Sequence, residues 1–258
     1  MDAEPLVGFQ AVREALRARR RPLRRLHLRA GLRRPELQEV RQLARAAGVP
    51  IEEASAEALN RLAPGARTQG LVLEAGPLPE VSLEEVLALG PPGRRRLVAL
   101  DGVEDPQNVG ALLRSAEAAG ATGVLLPERR APPLGAAVAR ASAGALEHLP
   151  IARVVNLSRA LERAKERGFW VVALDPEAEV SLFGTPDALW ASDLAIVVGG
   201  EGRGLRHGIR RLADHRLAIP MRGRVASLNV SAAGTLALFE AARRANPESP
   251  RGPECGPR

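Results

Sequence analysis

Hydrophobic and polar positions along this chain switch repeatedly between a helical period and a strand period, which predicts short helices and strands in alternation. Between Val7 and about Arg19, Val12, Ala15 and Leu16 share one helical face. Leu23 to Leu28 reads as a strand, Pro35 to Ala47 as a helix ended by Gly48, and Val49 to Ala54 as a short strand. Ser55 starts a helix that stops near Pro64, and Gly70 to Glu74 alternates as a strand. Residues 1–77 are therefore expected to form a small α/β unit. Gly76-Pro77-Leu78-Pro79 and Gly90-Pro91-Pro92-Gly93 bracket a short helical stretch, Ser82 to Leu89, and that punctuation suits a linker over 78–93.

The pattern then resumes over 94–247. Strands are expected at Leu97 to Leu100, Gly123 to Leu126, Ile151 to Val155 and Phe169 to Leu174, with helices at Asn108 to Ala119, Ala136 to Leu146 and Ser158 to Arg167, the last capped by Ser158. The apolar run Leu194 to Val198 leads into a glycine turn, a short basic helix, a strand at Leu217 to Met221, and a helix from Ser227 to about Asn246. Strands alternating with helices of these lengths imply a mostly parallel sheet covered by helices on both faces. Residues 248–258 read as a flexible Pro/Gly-rich tail.

Composition adds a bias in charge. The 258 residues carry a formal net charge of +7, and Lys165 is the only lysine, so the basic balance belongs to arginine. Arginine's planar fork suits phosphates and stacked bases, which favours a polyanionic partner. A GC-rich genome or a thermophilic source would enrich arginine as well. Ten arginines against the single acid Glu14 fall between Arg13 and Arg34, and Arg19, Arg20, Arg21, Arg24 and Arg25 are the candidate contacts to a polyanion; the competing reading is a solvated charged face. The single cysteine, Cys255, cannot form an internal disulfide, and no stretch approaches the roughly 20 apolar residues of a membrane span. A cytoplasmic protein is expected. His27, His148, His207 and His215 are scattered without ligand spacing, so no metal site is expected.

The candidate chemistry concentrates late in the chain. Leu194 to Val198 runs into Gly199-Gly200-Glu201-Gly202-Arg203-Gly204-Leu205, a turn that presents backbone and one carboxylate where a strand stops. Glycines let a ligand approach the backbone, and the helix expected at Ser227 or Asn229 adds unpaired N–H donors. A small-molecule pocket at the carboxyl ends of parallel strands follows. The turn is neither a P-loop, since no Gly-Lys-Ser/Thr follows, nor a dinucleotide fingerprint, which would follow an early strand.

Three motifs stand in order: Asn108-x-Gly110-x3-Arg114; Gly199-Gly200-Glu201-Gly202-x-Gly204; and Ile219-Pro220-Met221 followed by Ser227-Leu228-Asn229-Val230-Ser231. Together they closely resemble those of the SpoU (TrmH) family, S-adenosylmethionine-dependent RNA ribose 2′-O-methyltransferases with a knotted α/β (SPOUT-type) fold. Gly8-Phe9-Gln10-Ala11-Val12 and Thr68-Gln69-Gly70 more loosely resemble the ends of that family's N-terminal substrate-binding domain, which often has His or Asn where Gln10 stands. The resemblance implies S-adenosylmethionine as cofactor and Asn108, Arg114, Glu201, Ser227 and Asn229 as catalytic residues. It implies Gly199, Gly200, Gly202, Ile219, Met221 and Leu228 as the cofactor's contacts, RNA as substrate and as the polyanion that the arginine run would meet, and a homodimer with its site at the subunit contact. Arginine keeps its charge in nearly all proteins, so Arg114 is expected to clamp a phosphate and stabilise the alkoxide, with action as a base the alternative. Core packing competes for the aliphatic residues, helix capping for Asn108, Ser227 and Asn229, and loop bracing for Glu201. The extra N-terminal domain favours a guanosine of 23S ribosomal RNA over transfer RNA; a resistance-conferring ribosomal RNA methyltransferase is a related alternative. A non-catalytic RNA-binding or ribosome-assembly factor is the alternative of another class.

Overall fold

The computed structural model describes residues 4–202 and 204–245. The expected C-terminal tail, its Cys255 and the helix end at Asn246 lie outside the described residues. In chain order, the first unit is built from β1 (Glu4–Val7), α1 (Phe9–Ala18), β2 (Leu23–Arg29), α2 (Pro35–Ala46), β3 (Ile51–Ala54), α3 (Ala56–Leu62) and β4 (Leu71–Ala75). Its sheet has the order β1-β4-β2-β3, with β1/β4 and β4/β2 antiparallel and β2/β3 parallel. The edge strand β1 was not anticipated. At four residues it carries too little pattern to read alone, and only its register against β4 defines it.

The second unit begins with α4 (Leu83–Ala88), which sits in the stretch expected as a linker. Ser82 and Glu85 close a capping box on α4, and Val86 and Leu87 are buried against the second sheet. There follow β5 (Arg96–Asp101), α5 (Pro106–Ala118), β6 (Gly123–Pro127), α6 (Ala136–Ala141), β7 (Ile151–Val154), α7 (Leu157–Glu166) and β8 (Trp170–Leu174). The chain finishes with α8 (Asp187–Trp190), β9 (Leu194–Gly199), α9 (His207–Leu212), β10 (His215–Leu217) and α10 (Val230–Ala245). All six strands of this sheet are parallel, in the order β10-β8-β9-β5-β6-β7.

Both faces of this sheet are buried, and the strand period sorts the side chains. Val98, Leu100, Val172, Ile196 and Val198 pack on the face covered by α5 and α10, while Leu97, Ala99, Val171, Ala173 and Val197 pack on the face covered by α7 and α9. The three central strands are near-continuous apolar runs for that reason. β5 to β7 step toward one edge of the sheet, and the chain then crosses over to place β8, β9 and β10 on the other side of β5, so the strand order switches between β5 and β9, where Asp101 is level with Gly199. A crevice beyond the carboxyl ends of the strands opens at such a point.

Several expected boundaries move for tertiary reasons. The helix expected from Ala136 to Leu146 is α6 followed by a 3-10 turn, Ala145–Glu147, because Ala143 (φ 51°) and Gly144 (φ 87°) are left-handed. A Cβ on Gly144 would lie 2.6 Å from the Cβ of Glu14, so the break is where α1 docks on the second unit. Asp105, not Asn108, caps α5, and Asn156, not Ser158, caps α7. β10 ends at Leu217, which leaves Ile219, Pro220 and Met221 beyond the strand in a loop.

Candidate active site

At the switch between β5 and β9 the chain turns back sharply. Gly200 and Gly204 pair as an antiparallel bridge, with the Gly204 N–H donating to the Gly200 carbonyl at 3.0 Å. Gly200 has no room for a side chain: a Cβ there would stand 2.0 Å from the Gly102 carbonyl oxygen of the neighbouring β5 loop. Gly202 (φ 80°) and Gly204 (φ 58°) supply the left-handed backbone that reverses the chain. Glu201 is thereby held exposed at the tip.

Glu201 is where the three motifs meet. Asn108, in the first turn of α5, donates through Nδ2 to Glu201 Oε1 at 3.0 Å, and Asn229 donates to the same oxygen at 2.8 Å. Asn229 Nδ2 also reaches Asn108 Oδ1 at 3.0 Å, which closes a triangle of side chains 28 to 121 positions apart in sequence. The remaining oxygen of Asn229 accepts from the Ser231 backbone N–H at 2.9 Å, so Asn229 caps α10 while holding Glu201. Capping and site formation are thus one arrangement for Asn229. Packing of α10 on α5 fixes the spacing: a Cβ on Gly234 would sit 2.3 Å from Leu112 Cδ2, and the Ser115 and Thr235 hydroxyls lie 2.6 Å apart.

A cavity of about 620 Å³ opens over β8, β9 and β10 on one side of this triangle. Gly199, Gly200, Gly202, Ile219, Met221 and Leu228 all line it, as do Glu201, Ser227 and Asn229. Its volume falls in the range of small-molecule sites, and its lining mixes apolar side chains with polar and charged groups, among them Asp175, Glu177 and Arg210. Arg114 is not part of this assembly. It is exposed on α5, lines neither this cavity nor the next, and lies six residues from Asn108, about 9 Å along the helix.

Two buried aspartates were not anticipated. Asp101 ends β5 and Asp175 follows β8, in the near-identical runs Leu97-Val98-Ala99-Leu100-Asp101 and Val171-Val172-Ala173-Leu174-Asp175. Asp101 accepts from the Arg206 backbone N–H at 2.8 Å and from its Nε at 2.5 Å, which anchors the far end of the glycine turn. Asp175 stands 3.0 Å from Arg216 Nε and 3.5 Å from Arg210 Nε. A polar residue ending a buried apolar strand was the signal that could have found both. On the other side of the triangle, beyond the carboxyl ends of β5 and β6, lies a second cavity of about 520 Å³ that takes in Arg129, Arg130 and Arg206.

The arginine run expected to face RNA divides. Arg21 is a correction: it is buried, and its guanidinium pairs with both oxygens of the equally buried Glu147, at 2.7 and 3.0 Å. Arg20 donates to the carbonyls of Glu147 and Leu149. Both therefore bind the first unit to the second. Arg25 pairs with Glu52 at 2.6 Å on the surface, while Arg19, at the left-handed end of α1, and Arg24 are exposed. Beside this contact His148 and Glu14 lie 2.9 Å apart; the His148 hydrogen bond holds the Glu14 carboxyl down at about 2, and Glu14 raises the imidazole in return.

Comparison with known proteins agrees with this arrangement. Residues 95–239 match the SpoU rRNA Methylase family, and residues 5–81 match the domain described as RNA 2′-O ribose methyltransferase substrate binding. A protein of Ralstonia nicotianae named 23S rRNA (guanosine-2′-O-)-methyltransferase RlmB is 40% identical over 240 residues, covering 93% of this chain and 95% of that one. A Bacillus subtilis protein named Putative TrmH family tRNA/rRNA methyltransferase YacO is 35% identical over 244 residues, covering 94% and 96%. Among solved structures, one titled RNA 2′-O ribose methyltransferase aligns with a TM-score of 0.78 at 31% identity over 94% of this chain and 89% of that one. The AdoMet-bound rRNA methyltransferase of Sinorhizobium meliloti aligns at 0.76 and 26% identity, over 94% and 87%. With its catalytic and substrate-binding regions both matched, the chain belongs to the SpoU rRNA methylase family.

Proposed function

We propose that this protein transfers a methyl group from S-adenosylmethionine to a ribose 2′-hydroxyl of RNA, with a guanosine of 23S ribosomal RNA as the preferred target. One observation carries the reading: the Asn108–Glu201–Asn229 triangle joins three distant motifs at the mouth of a cavity of cofactor size. The cavity's residues fit S-adenosylmethionine. Ile219, Met221 and Leu228 offer an apolar surface to an adenine, and Ser227 with the glycine backbone offers polar partners. When bound, the cofactor supplies an electrophilic methyl carbon on a sulfonium.

The protein's part is to orient and to exclude water. Glu201, held by two asparagine amides, is placed to accept a hydrogen bond from an approaching ribose hydroxyl. As the 2′-oxygen takes up the methyl group that the cofactor would supply, its proton would leave toward an RNA phosphate or solvent. Arg114 serves by holding that phosphate.

Since Arg114 stands apart from its own chain's cavity, it acts in a homodimer, at the site of a second copy. The packed pair of α5 and α10 supports this, because α10 leaves Leu236 and Phe239 40% and 48% exposed. The knotted path of the family is supported by the loop 175–193, which touches the C-terminal segment twice. Ala218 pairs with the backbone of Val180 and Leu182, and Arg244 donates to the carbonyls of Phe183 and Thr185. No helix among the described residues is long and apolar enough to cross a membrane; the ribosomal RNA named for the relatives supports a cytoplasmic setting.

The test is transfer of labelled methyl to separate pools of unmodified ribosomal and transfer RNA, with the product mapped. Incorporation at a ribose 2′-oxygen of 23S RNA, lost in Arg114→Ala, is expected. Incorporation confined to transfer RNA would reassign the substrate. A folded protein that binds RNA but neither transfers methyl nor is stabilised by S-adenosylmethionine would favour an assembly factor; ligand at 100 times its dissociation constant should add about 2.7 kcal/mol.

A further inference from the structure

We propose that the second cavity holds the RNA nucleotide bearing the acceptor hydroxyl, with Arg129 and Arg130 as the side chains that grip its phosphates. The inference rests on the methyl-transfer reading. The two cavities share one wall, made by Gly200, Glu201, Gly204 and Val230. A displacement needs donor and acceptor on opposite sides of a single contact, and the Glu201 turn is the partition between the two spaces. The side that carries Ile219, Met221 and Leu228 suits the cofactor, which leaves the other side for the RNA.

The chemistry of the second cavity fits a nucleotide. Its volume of about 520 Å³ is within the range of small-molecule sites. The β5–α5 loop contributes the exposed Glu104 beside Asp105, whose carboxylate caps α5, and the β6–α6 loop contributes Arg129 and Arg130. Hydrogen-bond acceptors thus line one part of the rim and cations another. A ribonucleotide presents the complement, with phosphates for arginine forks and hydroxyl and base N–H donors for carboxylates. A bare phosphate would not use the acidic side. Arg206, the third arginine of the cavity, is already neutralised by Asp101. Arg129 and Arg130 are exposed and make no hydrogen bond or ion pair among the described residues, so their charge is available. Arg130 also holds φ at 62°, a conformation uncommon for residues other than glycine and concentrated at ligand clamps and active sites.

The experiment compares wild type, Arg129→Ala/Arg130→Ala and Arg129→Lys/Arg130→Lys on unmodified 23S RNA transcript. Binding is followed by filter retention across a salt series, methyl transfer by kcat/KM, and cofactor binding by thermal shift. For the alanine pair, kcat/KM should fall at least 10-fold, and the plot of log binding constant against log salt should become shallower by about 1.4 to 1.8, the loss of two phosphate contacts. S-adenosylmethionine binding should be unchanged, and the lysine pair should recover the salt slope. Unchanged affinity and slope in the alanine pair would overturn the proposal, as would equal loss of cofactor binding. Should the wild type transfer no methyl yet bind RNA with the arginine-dependent slope, the methyl-transfer reading fails while the RNA contact stands.

Discussion

At the scale of single residues, the site depends on side chains whose value lies in what they hold. Glu201 is exposed, so replacing it costs little stability, but Glu201→Ala leaves the Asn108 and Asn229 amides without their common acceptor. Methyl transfer should fall by about 100-fold, the scale expected when a reacting group loses its placement, with the melting temperature nearly unchanged. Glu201→Gln keeps an acceptor oxygen and should retain more activity than alanine; equal loss would point to a need for the charge itself. Gly200→Ala acts by another route, since its Cβ would be driven into the Gly102 carbonyl. That variant should lose both cofactor binding and thermal stability. The candidate residues of motifs two and three were named from the sequence because their order and spacing resemble a known family's; capping and loop bracing were competing readings, and Asn229 does cap α10. Arg129 and Arg130 were not named, because an arginine pair in a loop looks like any solvated charge until a cavity is found beside it.

At the scale of elements, the contact between α1 and the turn after α6 is the part most open to test. Arg21 and Glu147 are both buried, so Arg21→Met leaves an unpaired buried carboxylate and should destabilise by about 3–5 kcal/mol in denaturant unfolding. Adding Glu147→Leu should recover much of the loss. The neighbouring Glu14–His148 pair makes the contact pH-dependent. The imidazole is raised by Glu14, so its contribution is complete below the ordinary histidine value near 6.5 and is lost as pH rises through the raised value. Glu14 is depressed to about 2, so its contribution is present above the ordinary 4.5 and fades as pH falls toward 2. The difference in melting temperature between wild type and His148→Asn should therefore be greatest near pH 5–6 and close by pH 9. A difference independent of pH would rule out the ion pair as its source. Helical periodicity anticipated α1 and most of α6, but not that α6 stops at Ala141, because the left-handed Ala143 and Gly144 answer to a helix more than 120 positions earlier.

At the scale of the whole molecule, α5 and α10 pack together, with Arg114 exposed on one and Leu236 and Phe239 half-exposed on the other. If this helix pair joins two copies, Phe239→Glu should shift sedimentation from dimer to monomer and reduce methyl transfer at least 10-fold. Cofactor binding should suffer less than transfer, because Arg114 is remote from the cavity of its own chain. A monomeric wild type with full activity would remove the dimer reading. The arginine-rich segment shows why bulk charge was a blunt guide at this scale. Its net sign pointed toward a polyanion, yet Arg20 and Arg21 are spent on uniting the two units.

The amino-acid sequence by itself determined the alternation of strands and helices, the fully buried parallel strands and the chemical content of the site. The first two follow from local periodicity, and the third from motifs whose order and spacing resemble a known family's. Only the tertiary structure decided that Asn108, Glu201 and Asn229 touch, that Arg114 does not, and that Asp101 and Asp175, at the ends of the two strands flanking β9, face arginines. Those outcomes depend on strand order and helix packing, which bring together positions about 30 to 120 residues apart in sequence, and no local pattern encodes that distance.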